Sequence, residues 1–442
     1  MNRNAGYPSR RRFLKTGAAL LSGMSYFVPR HVLGFAGSPG ANDRIVVGVI
    51  GVGVRGKQLI RNIQNLPDKG RVAAICDCDA RKIAETLQEH GADWKAYADY
   101  RHLIEQQDLD GVLICTPHHQ HVLPGMLACQ AGLDVYVEKP LSNYVNEGRA
   151  LVTAARKYGR VVQTGSQQRT MEMNRFACEL VRGGGIGRVK VVEAVSFGGP
   201  VPYPSEGLPE EPIPAGFNWD LFQGPAAVRP YNRLLAAHWS ERLGSSWMRW
   251  RDYSGAGTDM MSHSLDMVQY ALGADGSGPV EFWPVEGNGM NARIDFRYAN
   301  GIEVRSRFPA NATPQRGPRL GGIFVGEHCK IEINRNKFTA NPPDFVKDAP
   351  DPELAEKWEG EGWVAQGHIE NWFDCIQSRA RPTADVEIGH RTVTVGHLIN
   401  IAREVGRPLR WDPEEERIVD DPEAHALLDR PRRKGWELPD IS

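Results

Sequence analysis

The stretch that most limits what this chain can fold into is Arg44-Ile-Val-Val-Gly-Val-Ile50, followed at once by Gly51-Val-Gly53-Val-Arg-Gly56. The apolar run has strand length. A helical spacing through Leu59, Ile60 and Ile63 begins directly after the glycines. A G-x-G-x-x-G turn alone is weak evidence, but between a strand and a helix it marks a dinucleotide-binding βα unit. Gly51 permits the tight turn, Gly53 lets backbone approach a pyrophosphate, and Gly56 lets the helix pack on the strand. The helix N-terminus, with Val54 and Arg55 in its first turn, offers free N–H groups and a positive dipole end to the phosphate.

Strands and helices then alternate. Val72-Ala-Ala-Ile-Cys76 ends at Asp77, 21 residues after Gly56. A carboxylate there suits the adenosine ribose hydroxyls and repels a 2′-phosphate, so NAD is expected over NADP. Arg81 lies near enough to keep NADP in view. Asp77 also reads as a favourable charge at the start of a helix beginning near Asp79. Gly111–Cys115 is a buried strand ending in Thr116-Pro117-His118-His119-Gln120-His121. Asp134-Val-Tyr-Val137 is another, ending in Glu138-Lys139-Pro140. A helix over Glu147–Tyr158 and a strand over Val161–Thr164 follow. Five or more βα units give an α/β fold with a doubly wound parallel sheet. Such sheets bind ligands at the carboxyl ends of their strands. That places Thr116, Pro117, His121, Glu138, Lys139 and Gln167 along a cofactor cleft. His119-x-His121 could chelate a metal, but no third ligand pattern accompanies it, and no metal site is expected.

The chain has 442 residues, enough for two domains. Lys+Arg is 53 against Asp+Glu 54, a net charge of -1, so no basic field for nucleic acid exists. The seven cysteines have no staple-like spacing and read as buried free thiols. Ser9-Arg-Arg-Arg-Phe-Leu-Lys15, the weakly apolar Thr16–Val28 and Gly34-Phe-Ala36 look like a twin-arginine export signal. That predicts contact with the twin-arginine machinery, a periplasmic or otherwise exported protein, and no stable membrane insertion after signal removal. The expected layout is signal and linker over 1–40, a Rossmann domain over 43–166, and an α+β substrate and oligomerisation domain over 167–442.

In the second half, Met171–Arg182 reads as a helix and Gly187–Ser196 as the start of a sheet. Gly198–Gly216 is a long loop rich in proline and glycine. Phe217–Pro225, Tyr231-Asn-Arg233 and Trp247-Met-Arg-Trp250-Arg251 concentrate aromatic and polar side chains. They suit either the faces and hydroxyls of a sugar or a surface layer held by buried tryptophans. A helix beginning near Thr258, a credible N-cap, carries Asp259 and His263 at i and i+4, with Asp266 extending that face. A carboxylate one turn from an imidazole can orient it. Val280–Val285, Met290–Tyr298, Ile302–Phe308, Ile323–Gly326 and Lys330–Ile333 alternate as strands of an antiparallel sheet. His368–Ser378 and Gly389–Glu404 read as helices, and Arg430–Trp436 as a solvated or docking basic tail.

The glycine turn, Thr116-Pro117-x-x-x-His121, Glu138-Lys139-Pro140 and Asp259-x-x-x-His263-x-x-Asp266 together resemble the Gfo/Idh/MocA family, that of glucose–fructose oxidoreductase and inositol 2-dehydrogenase. The resemblance implies a Rossmann domain followed by a domain with an open, mostly antiparallel sheet, and a homo-oligomer, dimer or tetramer. It implies Lys139, Asp259 and His263 as the catalytic group, Glu138 beside the cofactor, and a cis Lys139–Pro140 peptide. Arg169, Tyr231, Trp250, Arg251 and His263 are the candidate substrate contacts. The implied activity is hydride transfer at a hydroxyl of a sugar, sugar derivative or cyclitol, with His263 taking the proton and Asp259 holding His263. Outside the cytoplasm free NAD cannot be assumed, so a tightly bound cofactor is expected. Two further readings remain open: a redox-neutral glycoside-cleaving, lyase or epimerase enzyme working through a transient keto-sugar, and a non-catalytic NAD-binding protein.

Overall fold

The computed structural model describes residues 44–237, 246–307, 320–350 and 365–441. The segment expected to be an export signal, Phe308 and most of the Asp348–Glu361 connection lie outside them.

The first sheet holds β1 (Ile45–Ile50), β2 (Gly70–Cys76), β3 (Lys95–Tyr97), β4 (Gly111–Ile114), β5 (Asp134–Val137) and β6 (Val162–Thr164). Their spatial order is β3-β2-β1-β4-β5-β6, and every pairing is parallel. The order reverses between β1 and β4, which is where a doubly wound sheet opens a ligand crevice. Val47, Val49, Val112, Leu113, Ile114, Val135 and Val137 are fully buried. They form unbroken apolar runs because helices cover both faces of such a sheet.

The second sheet holds β7 (Val191–Val195), β8 (Pro279–Glu286), β9 (Arg293–Tyr298), β10 (Glu303–Arg307), β11 (Gly322–Val325), β12 (Lys330–Asn334), β13 (Lys337–Asn341), β14 (Leu409–Asp412) and β15 (Arg417–Ile418). Its order is β13-β12-β11-β7-β10-β9-β8-β14-β15, antiparallel except for β7 beside β10. Strand residues alternate here. Phe282, Phe296, Val304 and Phe324 are fully buried among residues of the helices Glu172–Arg182, Thr258–Ala271 and Val386–Val405. Glu281, Arg297, Glu303 and Arg305 alternate with them and pair across the other face. Such alternation marks a sheet packed on one side only.

Helix boundaries fall within a few residues of the sequence expectations: Glu172–Arg182, Gln366–Ser378 and Val386–Val405. β3 and β13 escape the sequence because three and five half-exposed or exposed residues carry no readable period, and β14 and β15 because four and two residues are too short to show one. Thr258 does not cap its helix. It is the first helical residue, behind Gly257, and its buried hydroxyl donates to the Gly255 carbonyl at 2.8 Å. The basic tail docks: Arg430 binds Glu147 at 2.7 Å and the His119 carbonyl at 3.0 Å, and Trp436 is buried. No helix among the described residues is long and apolar enough to cross a membrane.

Candidate active site

The glycine turn builds one end of the site. Gly51 has φ +88°, and a Cβ there would stand 2.7 Å from the Cys115 backbone. A Cβ on Gly56 would meet the Gly51 carbonyl oxygen at 2.1 Å, so Gly56 is a packing glycine. Gly53 has nothing within 4 Å of where its Cβ would be. It sits at the N-cap of the helix Val54–Gln64, and no side chain caps that end. The first N–H groups therefore face open space, as an anion cradle requires.

A cleft of about 770 Å³ runs from this turn along the strand ends. Gly51, Gly53, Val54, Arg55, Asp77, Thr116, Pro117, His121, Glu138, Lys139 and Gln167 line it. Asp77 accepts Val52 N–H on one oxygen and Asp79 N–H on the other, both at 3.0 Å. Asp79, not Asp77, caps the helix Ala80–His90. Arg81 is turned onto Asp79, with contacts of 2.9 and 2.7 Å. Gln167 is buried, and its Oε1 has no hydrogen-bond partner among the described residues. An unsatisfied buried amide oxygen is rare in folded proteins, and one lining a cleft points to a ligand donor. His121 sits between the two strand-end loops, one ring nitrogen 2.8 Å from the Pro140 carbonyl and the other 2.9 Å from that of Thr116, and its neutral ring donates to one of the two. Burial pushes its pKa down to about 4.

β5 delivers the reactive end. The Lys139–Pro140 peptide is cis. Glu138 accepts from Arg55 Nε at 2.7 Å. Burial alone would lower the Arg55 pKa, but the Glu138 carboxylate outweighs it and holds the guanidinium charged. Lys139 Nζ donates to Asp259 Oδ1 at 2.6 Å and contacts the Asp259 carbonyl at 3.2 Å. His118 Nε2 lies 3.4 Å from the same Oδ1. Burial would raise the Asp259 pKa, but Lys139 and His118 pull it well below the usual carboxylate range. Asp259 is therefore ionised at any working pH.

Asp259 and His263 are one turn apart on the helix Thr258–Ala271, yet no hydrogen bond joins them. Helical side chains lean toward the N-terminus, so Asp259 reaches past the helix start toward Lys139. His263 sits a turn behind, where its Nε2 accepts from the Arg335 guanidinium at 3.0 Å. Burial, reinforced by Arg335, holds His263 neutral. The expectation that Asp259 holds His263 is thus corrected: Lys139 and His118 take the Asp259 carboxylate, and Arg335 takes His263 Nε2.

The remaining candidate substrate contacts also lie away from the cleft lining. Arg169 is buried against Asp266 (2.8 Å) and Asp275 (2.7 Å), a structural ion-pair cluster. Tyr231 and Trp250 belong to an aromatic cluster with Trp219 and Phe222, and Trp250 Nε1 donates to the Leu234 carbonyl. Arg251 pairs with Glu404. Of the two readings of this aromatic stretch, the covering layer held by buried tryptophans describes these residues. Its inner edge, through Phe217, Leu221, Phe222 and Trp247, walls the cleft.

That layer reaches back to the first sheet. Ala80 N–H donates to the Gly216 carbonyl and Asn218 N–H to the Cys78 carbonyl, both at 2.8 Å, and Asp79 bridges to Phe217. A strap from the second half is thereby fastened to the residues just after Asp77. His119 holds it from the other side, its Nε2 donating to the Phe222 carbonyl at 3.0 Å.

Comparison with known proteins fits this arrangement. The model for an oxidoreductase family's NAD-binding Rossmann fold matches residues 45–166, and that for its C-terminal alpha/beta domain matches residues 203–438, over half of the chain. The chain belongs to the Gfo/Idh/MocA oxidoreductase family. Among relatives, an uncharacterized oxidoreductase, YrbE of Bacillus subtilis, is 30% identical over 153 residues, 35% of this chain and 44% of that protein. Inositol 2-dehydrogenase of Salmonella typhimurium is 30% identical over 123 residues, 28% of this chain and 37% of that enzyme. A glycosyl hydrolase family 109 protein of Shewanella is 35% identical over 124 residues, 26% of each chain. The chain spans less than half the length of each of these curated relatives. Among solved structures, aldose-aldose oxidoreductase from Caulobacter crescentus, complexed with glycerol, superposes with a TM-score of 0.59 at 19% identity, covering 83% of this chain and 99% of that one. WlbA dehydrogenase from Bordetella pertussis, in complex with NADH and UDP-GlcNAcA, gives 0.58 at 17%, covering 84% and 99%. At these identities the likeness shows the fold.

Sequence reasoning about this family member misses two groups at the site. His118 lies inside a stretch expected along the cleft, but nothing in the sequence separates it from His119 and His121. Arg335 sits in the turn between β12 and β13, and no pattern ties it to His263. Among the described residues no three His, Cys, Asp or Glu side chains converge as a metal site.

Proposed function

We propose that this protein is an NAD-dependent oxidoreductase that moves hydride at a hydroxyl-bearing carbon of a sugar, sugar derivative or cyclitol, and that it keeps its NAD bound through the cycle. The observation that carries the reading is the buried Lys139–Asp259 pair in the same cleft as the glycine turn. The residues present fit the cofactor. Gly51 and Gly53 leave a cradle that would take the pyrophosphate, Asp77 would hold the ribose hydroxyls, and Gln167 Oε1 would accept from the carboxamide. When bound, NAD supplies the hydride acceptor at its nicotinamide ring. Lys139 Nζ is the group placed to bind the reacting oxygen. On oxidation Lys139, having first lost one proton to solvent, takes the hydroxyl proton as the neutral amine, the C–H hydrogen leaves with its electron pair to the nicotinamide, and a carbonyl remains. On reduction Lys139 returns the proton. Asp259, ionised throughout, stabilises the charged ammonium.

The strap over the cleft supports a resident cofactor, and a resident cofactor must be restored in place. Two substrates can alternate, one oxidised and one reduced. Alternatively one substrate is oxidised transiently, eliminated or epimerised beside the new carbonyl, and reduced again. The glycosyl hydrolase relative supports the second cycle; the inositol 2-dehydrogenase relative supports the first. The test is to purify the mature protein, dialyse it, measure bound NAD(H), and screen sugars, cyclitols and glycosides for cofactor absorbance changes and product stereochemistry together. Cofactor lost freely, with turnover only on added NAD, ends the resident-cofactor reading. No hydride transfer on any substrate ends the oxidoreductase reading.

Two further parts of the proposal have their own checks. Export by the twin-arginine route predicts that replacing Arg10 and Arg11 by lysine leaves the precursor in the cytoplasmic fraction; unchanged export removes that route. Preference for NAD over NADP predicts that Asp77→Ser weakens NAD by about 10- to 100-fold, the loss of one hydrogen bond to a charged group. The same variant should narrow the gap to NADP. Fluorescence titration of apoprotein measures both, and an unchanged ratio would leave Asp77 as a tie within the turn.

A further inference from the structure

We propose that the basic segment Arg430–Trp436 clamps the wall of the cofactor cleft, and that Arg433 is the positioning residue whose release lets NAD(H) exchange. The inference rests on the resident-cofactor reading above and deepens it by naming what holds the cofactor in. The first ground is where the arginines of this segment point. Arg433 Nε donates to the Gly224 carbonyl, and its terminal nitrogens donate to the Asp220 carbonyl at 2.6 Å and to the Asp220 carboxylate. Both carbonyls belong to the short helix Trp219–Gln223 and its C-cap, Gly224. Leu221 and Phe222 of that helix wall the cleft. Arg430 is largely buried, and besides Glu147 it binds the His119 carbonyl at 3.0 Å and the Asp252 carbonyl at 3.1 Å. His119 stands between two residues that line the cleft, His118 and Gln120.

The second ground is that this helix cannot hold its own place. It has five residues. A helix that short is unstable alone, and its last carbonyls have no partners within it. The fold supplies them from outside. Gln120 Nε2 donates to the Leu221 and Phe222 carbonyls at 2.7 and 2.6 Å, and Arg433 takes those of Asp220 and Gly224. A guanidinium also suits the negative end of a helix.

The third ground is the anchor. Trp436 is buried in one apolar cluster with Tyr100, Leu103 and Ile104 of the Rossmann domain. The Arg101 guanidinium lies 4.7 Å from its ring and that of Arg433 4.9 Å. Tyr100 itself lines the cleft. The wall is thereby fastened to the cofactor-binding half twice. Gly216 and Asn218 are tied to Ala80 and Cys78 through backbone, and Asp220 and Gly224 are tied to the anchored tail through one side chain.

The test uses the full-length holoprotein loaded with NADH, mixed rapidly with excess NAD, and follows the loss of bound-NADH fluorescence. Arg433→Ala is expected to release NADH about 10- to 100-fold faster than wild type, the effect of losing hydrogen bonds from a charged group. Arg433→Lys keeps the charge but not the fork that spans two carbonyls, so it should recover only part of that loss. Asp220→Asn removes the surface ion pair and leaves both carbonyl bonds, so release should quicken by no more than about fivefold. A merely structural role for Arg433 would lower the melting temperature and leave release per folded molecule unchanged. Arg433→Lys also covers the case in which Arg433→Ala does not fold. Release at the wild-type rate from the folded Arg433 variants overturns the inference and leaves the resident-cofactor reading standing. If wild type loses its cofactor on dialysis, that reading fails, and the ratio of variant to wild-type release still decides the clamp.

Discussion

Lys139→Met is expected to lower turnover by about 10²- to 10⁴-fold, the range supplied by one positioned acid–base group. Methionine keeps the apolar stem and the cleft wall but removes the ammonium that donates to Asp259 Oδ1 at 2.6 Å. Bound cofactor should remain, because the glycine turn, Asp77 and the strap do not touch Lys139. The measurement is single-turnover absorbance of the bound nicotinamide beside cofactor content after denaturation. Turnover at the wild-type rate would remove Lys139 from the chemistry. Loss of cofactor with loss of activity would make it a binding residue instead. The ion pair is buried, so its removal also leaves Asp259 uncompensated except by His118, and some loss of stability is expected.

The second large effect is expected at the strap. Ala80→Pro should release the cofactor at least about tenfold faster. Ala80 is the first residue of its helix, where proline is tolerated because the missing N–H has no intrahelical partner. Asp79 before it has φ -109° and ψ 104°, the extended backbone that a following proline requires. The helix should therefore persist. What is lost is the N–H that binds the Gly216 carbonyl at 2.8 Å, and the proline ring occupies the space the bond crossed. One hydrogen bond contributes about 0.5–1.5 kcal/mol, and displacing Phe217 from the cleft wall adds to it. Cofactor retained after gel filtration, with helix content by circular dichroism as control, measures the effect. Retention equal to wild type would mean that the strap covers the cleft without holding its contents.

The two predictions draw on different kinds of information. Lys139 was readable along the chain: an apolar strand ending in a charged pair, in a series of βα units, marks the carboxyl edge of a parallel sheet. The glycine turn was readable for the same reason. Gly51 at φ +88° and Gly56 against the Gly51 carbonyl are local demands that no other residue meets. The strap was not readable. Its partners, Cys78 and Ala80 on one side and Gly216 and Asn218 on the other, are joined by backbone groups, which every residue carries and no pattern announces.

Side-chain partners across the cleft divide in the same way. Sequence spacing places Asp259 and His263 on one helix face, and that local geometry holds. It does not say which way a first-turn carboxylate leans, and Asp259 leans past the helix end onto Lys139 and His118. Arg169 shows the opposite trap. Arg169 is a candidate substrate contact by sequence, whereas the fold buries it between Asp266 and Asp275. Residues close in the chain account for most of the elements, the parallel character of the first sheet, the glycine turn and the lysine at the strand edge, because each is a local pattern. Only the tertiary structure decided which histidine meets Asp259, what covers the cofactor cleft and which arginines are internal. Those outcomes depend on contacts between residues 97 or more positions apart.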